Sequence, residues 1–326
     1  MKHVAIILSL FCGPAHAGVK DVVEHDIIPG FAAFAQSTAE FADVANNTCD
    51  RVALATAYPA VMTAWMQVQH WHIGPSQDLY HEVAFWPDSR GFIPSTLSKL
   101  IADKDPVIED TTVFAEVSIA GRGLFALEML IFDDRFLTDQ VTSYECQLIQ
   151  AIATDLSNTA ETLRTGWAEY STILLTAGAG DNPEFRSIQE AESALYTQIL
   201  TSLEFTADQR IGRPLGTLER PRPTRAEAWR SSMSLSNIQT ATQAAVSSAR
   251  HLYDGATPEL DTAVQSFQDA SDRINNPIFA EIDTDLSTWL RLQILGERVG
   301  NIRTMIEQEI GAAMGLSAGF NAGDGD

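Results

Sequence analysis

The chain has 326 residues, too many for one comfortable helical core and about right for two domains. Its hydrophobic fraction of 45% can fill a sizeable core, and its charged fraction of 20% argues against disorder. A formal net charge of -22 repels phosphate backbones and anionic lipid, which excludes nucleic acid as a partner and favours cations or a basic neighbour.

The first residues read as a targeting pattern. Lys2 precedes a short apolar run from Val4 to Phe11, and Ala15-His16-Ala17 has the form of a cleavage site. The expectation is a signal peptide over 1–17, cleaved after Ala17, and a mature chain in the periplasm. The run is too short to span a bilayer, and no later stretch has transmembrane length. With Cys12 in the leader, Cys49 and Cys146 remain. In an oxidising compartment they either form a disulfide or stay as two separate buried thiols.

Beyond the leader, apolar residues recur at helical spacing and rarely alternate. Helices are predicted over 27–46 and 51–72, the second carrying the stripe Leu54, Tyr58, Val61, Trp65, Val68 and His72. Residues 73–106, with Gly74, Pro75, Pro87, Gly91 and Pro94, read as a long connection with short helical turns. A third helix over 107–132 carries Val113, Val117, Ala120, Leu124, Leu127 and Ile131, and a fourth covers 142–175. Thr176 to Glu184 has linker composition. Four more helices follow over 185–205, 225–254, 258–275 and 283–315, the last lined by Leu286, Leu290, Ile294, Val299, Ile302, Ile306 and Ile310. The expected fold is all-α, with two four-helix-bundle-like domains packed together over 18–176 and 177–326. The connection 207–224 is the one dense basic stretch, with Arg210, Arg213, Arg220 and Arg222. We read it as a solvated crossover; the competing reading is a clamp for a carboxylate, phosphate or acidic neighbour.

Chemistry-bearing motifs are scarce. The sequence has no His-Glu-x-x-His zinc motif, no Gly-x-Ser-x-Gly elbow and no phosphate-cradling glycine loop with lysine. His70, His72 and His81 cluster, but neighbours two apart on a helix point in different directions. His72 continues an apolar stripe, so it reads first as an inward core histidine and second as a ligand. The most informative stretch is Gly121-Arg122-Gly123-Leu124-Phe125-Ala126-Leu127-Glu128. Glycines inside a helix cost about 1 kcal/mol each relative to alanine, so close backbone packing is expected there. Phe125 and Glu128 share a helix face at the border of the core. A carboxylate among Met129, Leu130, Ile131 and Phe132 has to be exposed, paired, coordinating or protonated.

This stretch resembles the Gly-x-His-x-x-Glu motif of the imelysin family, with Gly123 and Glu128 matching and Phe125 standing at the histidine. Ala64-Trp65 through Gly74-Pro75, Pro214-Leu215-Gly216, Arg225 to Arg230 and Gly315 to Asp326 are similar to further segments of that family, in order along the chain. The resemblance implies a two-domain helical-bundle fold and an exported protein linked to iron acquisition. It also implies a metallopeptidase activity, for which the family was named, with histidine and glutamate as metal ligands. Phenylalanine can neither ligate a metal nor carry a proton, so the peptidase reading is weakened here. The favoured expectation is a non-catalytic envelope protein that binds a small ligand or a metal ion, with iron or another divalent metal as cargo. Its site is expected between the bundles, lined by Glu128, Phe125, Gly123, Arg122, His72 and Trp65, with Glu128 and His72 as metal ligands. The alternative is a metal-dependent peptidase. A third reading is a module that docks an envelope protein partner through Phe85, Trp86 and Phe92, which otherwise cap the core. Asp324-Gly325-Asp326 is either a hard-cation site or a frayed acidic tail.

Overall fold

The computed structural model describes residues 18–136 and 143–317. The leader over 1–17 and the acidic tail over 324–326 lie outside the described residues. Helices α1 (Val19–Val22) and α2 (Ile28–Asn47) are joined without a break by a π turn, Val23–Ile27. Helix α3 (Arg51–Val68) starts where the Asp50 carboxylate accepts the Ala53 N–H at 2.7 Å. The long connection folds into α4 (Ser76–Val83) and α5 (Phe92–Asp103).

The predicted helix over 107–132 is instead three short pieces and one helix. A 3-10 turn (Pro106–Glu109), α6 (Thr111–Phe114), a second 3-10 turn (Ile119–Gly121) and α7 (Gly123–Phe132) follow one another. The reason is local. Asp105, Asp110 and Ser118 each turn a side-chain oxygen onto the backbone N–H groups just ahead, so each begins a new turn instead of continuing an old one. Val113, counted in the predicted stripe, is 51% exposed.

Helix α8 (Tyr144–Leu175) matches its predicted span closely, capped by Ser143. Helix α9 (Ile188–Phe205) runs on through a π turn (Thr206–Ile211) into α10 (Gly212–Leu215). After a 3-10 turn (Pro223–Arg225), the predicted helix from 225 begins only at α11 (Ser234–Leu252). Helix α12 (Pro258–Ser271) follows. The last stretch is α13 (Leu286–Met305), a π turn (Ile306–Gly311) and α14 (Ala312–Met314). Along α13 the predicted stripe fails at its start, since Leu286, Leu290 and Ile294 are exposed. The step of five from Ile294 to Val299 turns the face by about 140° at about 100° per residue. The buried face is Leu292, Leu295, Val299 and Ile302.

No strand occurs among the described residues. Helix α2 packs between α3 and α8, α7 packs on α3 and α8, and α11 packs on α9 and α3. Helix α13 lies against α12, α9 and the π turn after α9. Trp65 and Trp167 are buried in this core, Trp167 stacked on Phe31 at 5.1 Å between ring centres. No helix among the described residues is long and apolar enough to cross a membrane.

Cys49 and Cys146 form a disulfide across a separation of 97 residues, tying the segment after α2 to the first turn of α8. Closing so long a loop removes much of the unfolded chain's freedom. Replacing both cysteines by serine is expected to cost about 2–5 kcal/mol, read as a lower denaturant midpoint in an equilibrium unfolding curve.

Candidate functional site

The site begins at a glycine. Gly123 opens α7 at φ +71°, and a Cβ there would lie 2.4 Å from the carbonyl oxygens of both Glu82 and Val83. Helix α7 thus starts directly against the last turn of α4, where only glycine fits. Just ahead of it, buried Arg122 grips Asp155 of α8 at 2.8 and 2.9 Å and Glu82 of α4 at 3.1 Å. Three elements are locked around the start of α7, and every residue from Gly123 to Ile131 is buried.

Glu128 is the one charged side chain in α7 and is only 3% exposed. Its Oε1 accepts the backbone N–H and the hydroxyl of Ser231, both at 2.9 Å. Burial pushes its carboxyl above the ordinary carboxylate range, while the Ser231 donors and the Arg230 charge oppose that rise.

Ser231 lies in the irregular segment ahead of α11, which a second buried ion pair holds. Arg210 Nε, from the π turn after α9, donates to Glu227 Oε2 at 2.8 Å. Asn237 Nδ2 donates to the same oxygen at 3.0 Å, and Arg210 Nη1 donates to Thr206 Oγ1 at 3.0 Å. Residues 226–233 are not helical. Ala228 and Ser232 take φ of +49° and +61°, a left-handed conformation that costs about 1–3 kcal/mol for a non-glycine residue. Arg230 is paired with Asp133 at 2.9 Å and lies over the Trp229 ring at 4.5 Å. Arg135 and Arg230 together hold the Asp133 carboxyl well below the usual range.

Between these walls lies a cavity of about 210 Å³. Phe125, Glu128 and Met129 form one side, and Thr224 to Ala226 with Ala228 to Arg230 form another. The connection before α5 supplies Trp86 to Ser89, and Arg213 of α10 completes the rim. The Trp86 and Phe125 rings stand 6.3 Å apart, tilted by 27°.

Of the predicted site residues, Phe125 and Glu128 line this cavity. Gly123 and Arg122 stand behind it and set the position of α7. Trp65 is a core residue, 5.2 Å from Phe34 and 5.4 Å from Tyr80 between ring centres. His72 is exposed, because α3 stops at Val68 before the stripe reaches it, and its ring stacks on Tyr80 at 3.9 Å. Neither Trp65 nor His72 lines the cavity. The buried histidine is His70, held at Nε2 by Ser248 at 3.2 Å, with burial lowering its pKa to about 3. The loop aromatics divide: Phe92 is 47% exposed, whereas Phe85 and Trp86 pack partly against the core.

The basic connection is not wholly solvated. Arg210 is fully buried in its ion pair, and Arg213 is half-buried at the cavity rim. Sequence reasoning passed over Ser231 and Arg213 as site residues. Arg213 was visible in the basic stretch, but the Ser231 contribution is partly a backbone N–H, which no side-chain pattern announces.

Among the described residues, no three His, Cys, Asp or Glu side chains converge to hold a metal ion. One Glu128 oxygen is committed to Ser231. The other carboxylate in the lining, Asp88, spends both oxygens on the Phe92 and Ile93 N–H groups that open α5, at 2.9 and 2.8 Å. These donors do not fit a resident transition metal, which takes three or four side-chain ligands.

The Imelysin (Peptidase_M75) family model matches residues 27–311. The chain belongs to the imelysin family. No curated protein sequence matches it. Its fold is similar to that of an imelysin-like protein from Psychrobacter arcticum 273-4, with a TM-score of 0.77 at 17% identity, covering 93% of this chain and 96% of that one. A candidate iron-regulated protein A precursor from Parabacteroides distasonis ATCC 8503 gives a TM-score of 0.66 at 15% identity, covering 88% and 92%. The all-helical fold is therefore that of imelysin-like proteins.

Two substitutions probe the site's construction. Gly123→Ala forces a Cβ into the α4 carbonyls and is expected to cost more than about 2 kcal/mol in denaturant unfolding, well above a typical surface change. Glu128→Gln keeps an acceptor for both Ser231 donors and removes the buried charge. The folded carboxyl is raised above its ordinary 4.5, so ionisation costs stability above that pH and nothing well below it. The variant should match or exceed the parent in thermal midpoint at pH 8, and that advantage should vanish below about pH 4.5, where both states hold the proton.

Proposed function

We propose that this imelysin-family chain is an exported, periplasmic binding protein linked to iron acquisition, built of two helical bundles and non-catalytic, with its ligand site in the cavity beside Glu128. The observation that carries this is the cavity itself. It is preformed, walled by aromatic rings, and supplied with a few fixed polar groups, which is the usual composition of a small-molecule site. Its volume is below the roughly 300–1,000 Å³ of drug-sized sites, so the part of the ligand held there is small.

Support for the iron link comes from the family and from the structural neighbour described as iron-regulated. Support for export comes from the leader pattern over 1–17. The ring of Phe125, where the family motif resembled in the sequence has histidine, removes a ligand and a proton carrier from the cavity wall. With one half-committed carboxylate, the site has too few donors to activate water on a metal, and the peptidase reading loses its chemistry.

Calorimetric titration with ferric citrate tests this reading beside an assay of unfolded-protein cleavage with and without a chelator. Saturable binding that is weakened about tenfold or more by Glu128→Ala, with no chelator-sensitive cleavage, is the expected result. Cleavage that a chelator stops and Glu128→Ala abolishes would replace it with the peptidase.

A further inference from the structure

The arginines that build the walls of the site are paired with acids. Arg122 serves Asp155 and Glu82, Arg210 serves Glu227, and Arg230 serves Asp133. Two arginines at the cavity are different. Neither Arg213 nor Arg225 has a carboxylate within 4.0 Å among the described residues, although the chain holds 43 acidic against 21 basic side chains. In such a chain, two cations lining one cavity without a close acid are an arrangement the surrounding field would readily neutralise.

The geometry sharpens the point. Arg213 Nη2 donates to Ser89 Oγ at 2.9 Å, which fixes the guanidinium at the rim. Its Nε is buried and has no hydrogen-bond partner among the described residues. A buried guanidinium donor left unpaired costs free energy that a ligand acceptor would recover. Burial first, and then the charge of Arg225, push the Arg213 pKa down. The two carboxylates in the lining do not answer them. Asp88 is committed to the start of α5, and Glu128 to Ser231. Beside the cations stand three aromatic rings, Trp86, Phe125 and Trp229.

We infer that the cavity takes a small organic carboxylate with a flat apolar body, its carboxylate between Arg213 and Arg225 and its body against Trp86 and Phe125. Planar guanidinium groups match a carboxylate through paired N–H donors. The basic connection of α10 is then a clamp, and iron, where it is carried, arrives bound to an acid of this kind instead of as a bare ion. This inference deepens the binding-protein reading and rests on the cavity being the ligand site.

The test uses tryptophan fluorescence and calorimetry of the whole protein with three iron-free probes: benzoate, citrate and inorganic phosphate. Benzoate is expected to saturate the signal from the cavity tryptophans more tightly than phosphate. Arg225→Gln, at an exposed position, and Arg213→Gln should each weaken benzoate about tenfold or more, with an unchanged thermal midpoint for Arg225→Gln. No saturable binding of any probe up to ~10 mM, or equal affinity in both arginine variants, would overturn the inference. Phosphate binding as tightly as benzoate would overturn the part assigned to the aromatic wall. The two readings fail separately. Ferric citrate bound equally by parent and arginine variants leaves the iron reading and sinks the clamp; benzoate bound without any ferric complex does the reverse.

Discussion

A carboxylate taken out of water has to be met by donors, and Glu128 meets its donors 103 residues away in Ser231. That contact joins α7 to the segment ahead of α11, so the two walls are held in register by a group that neither could bury alone. Each wall is secured from behind by an arginine. Arg122 ties the start of α7 to α4 and α8, and Arg210 ties the Ser231 segment to the turn after α9. Removing one partner from a buried pair of this kind costs about 3–5 kcal/mol, because a lone charge is left behind. The positions of the groups facing the cavity are therefore set by residues that do not touch it.

Backbone strain falls in the same place. Ala228 and Ser232 adopt left-handed backbone on either side of Ser231, and two arginines line the cavity without a close acid among the described residues. Both features oppose stability in the free protein. They persist because the Arg210–Glu227–Asn237 cluster over-determines the segment. The Phe125 ring, packed near Trp86, adds a hydrocarbon surface where a polar side chain would have competed for water.

Long helices were legible wherever an apolar ridge ran unbroken, as in α8, because a buried face imposes its period on the sequence. The reading failed where short polar side chains outbid the helix locally. Asp105, Asp110 and Ser118 broke the span before Gly123, and left-handed backbone at Ala228 and Ser232 precedes the start of α11. In α13 two stripes on different faces are joined in the sequence by a step of five. Phe125 and Glu128, singled out by their border position and family motif, both line the cavity. His72 and Trp65 could not be excluded, since a stripe says that a residue faces inward but not which neighbour it meets. Arg213 was seen yet assigned to solvent, because sequence carries no record of where a crossover lies in space.

The Cys49–Cys146 bond encloses α3 to α7, and so encloses Gly123, Phe125 and Glu128, within one covalent ring. A protease that cuts once anywhere inside that ring separates no fragment. The nicked protein would gain only the one water of hydrolysis and stay one covalent molecule until a reductant opens the sulfur bridge, and its helices would retain their neighbours through the packed core. The portion of chain bearing the buried acid is the portion that a single scission cannot release.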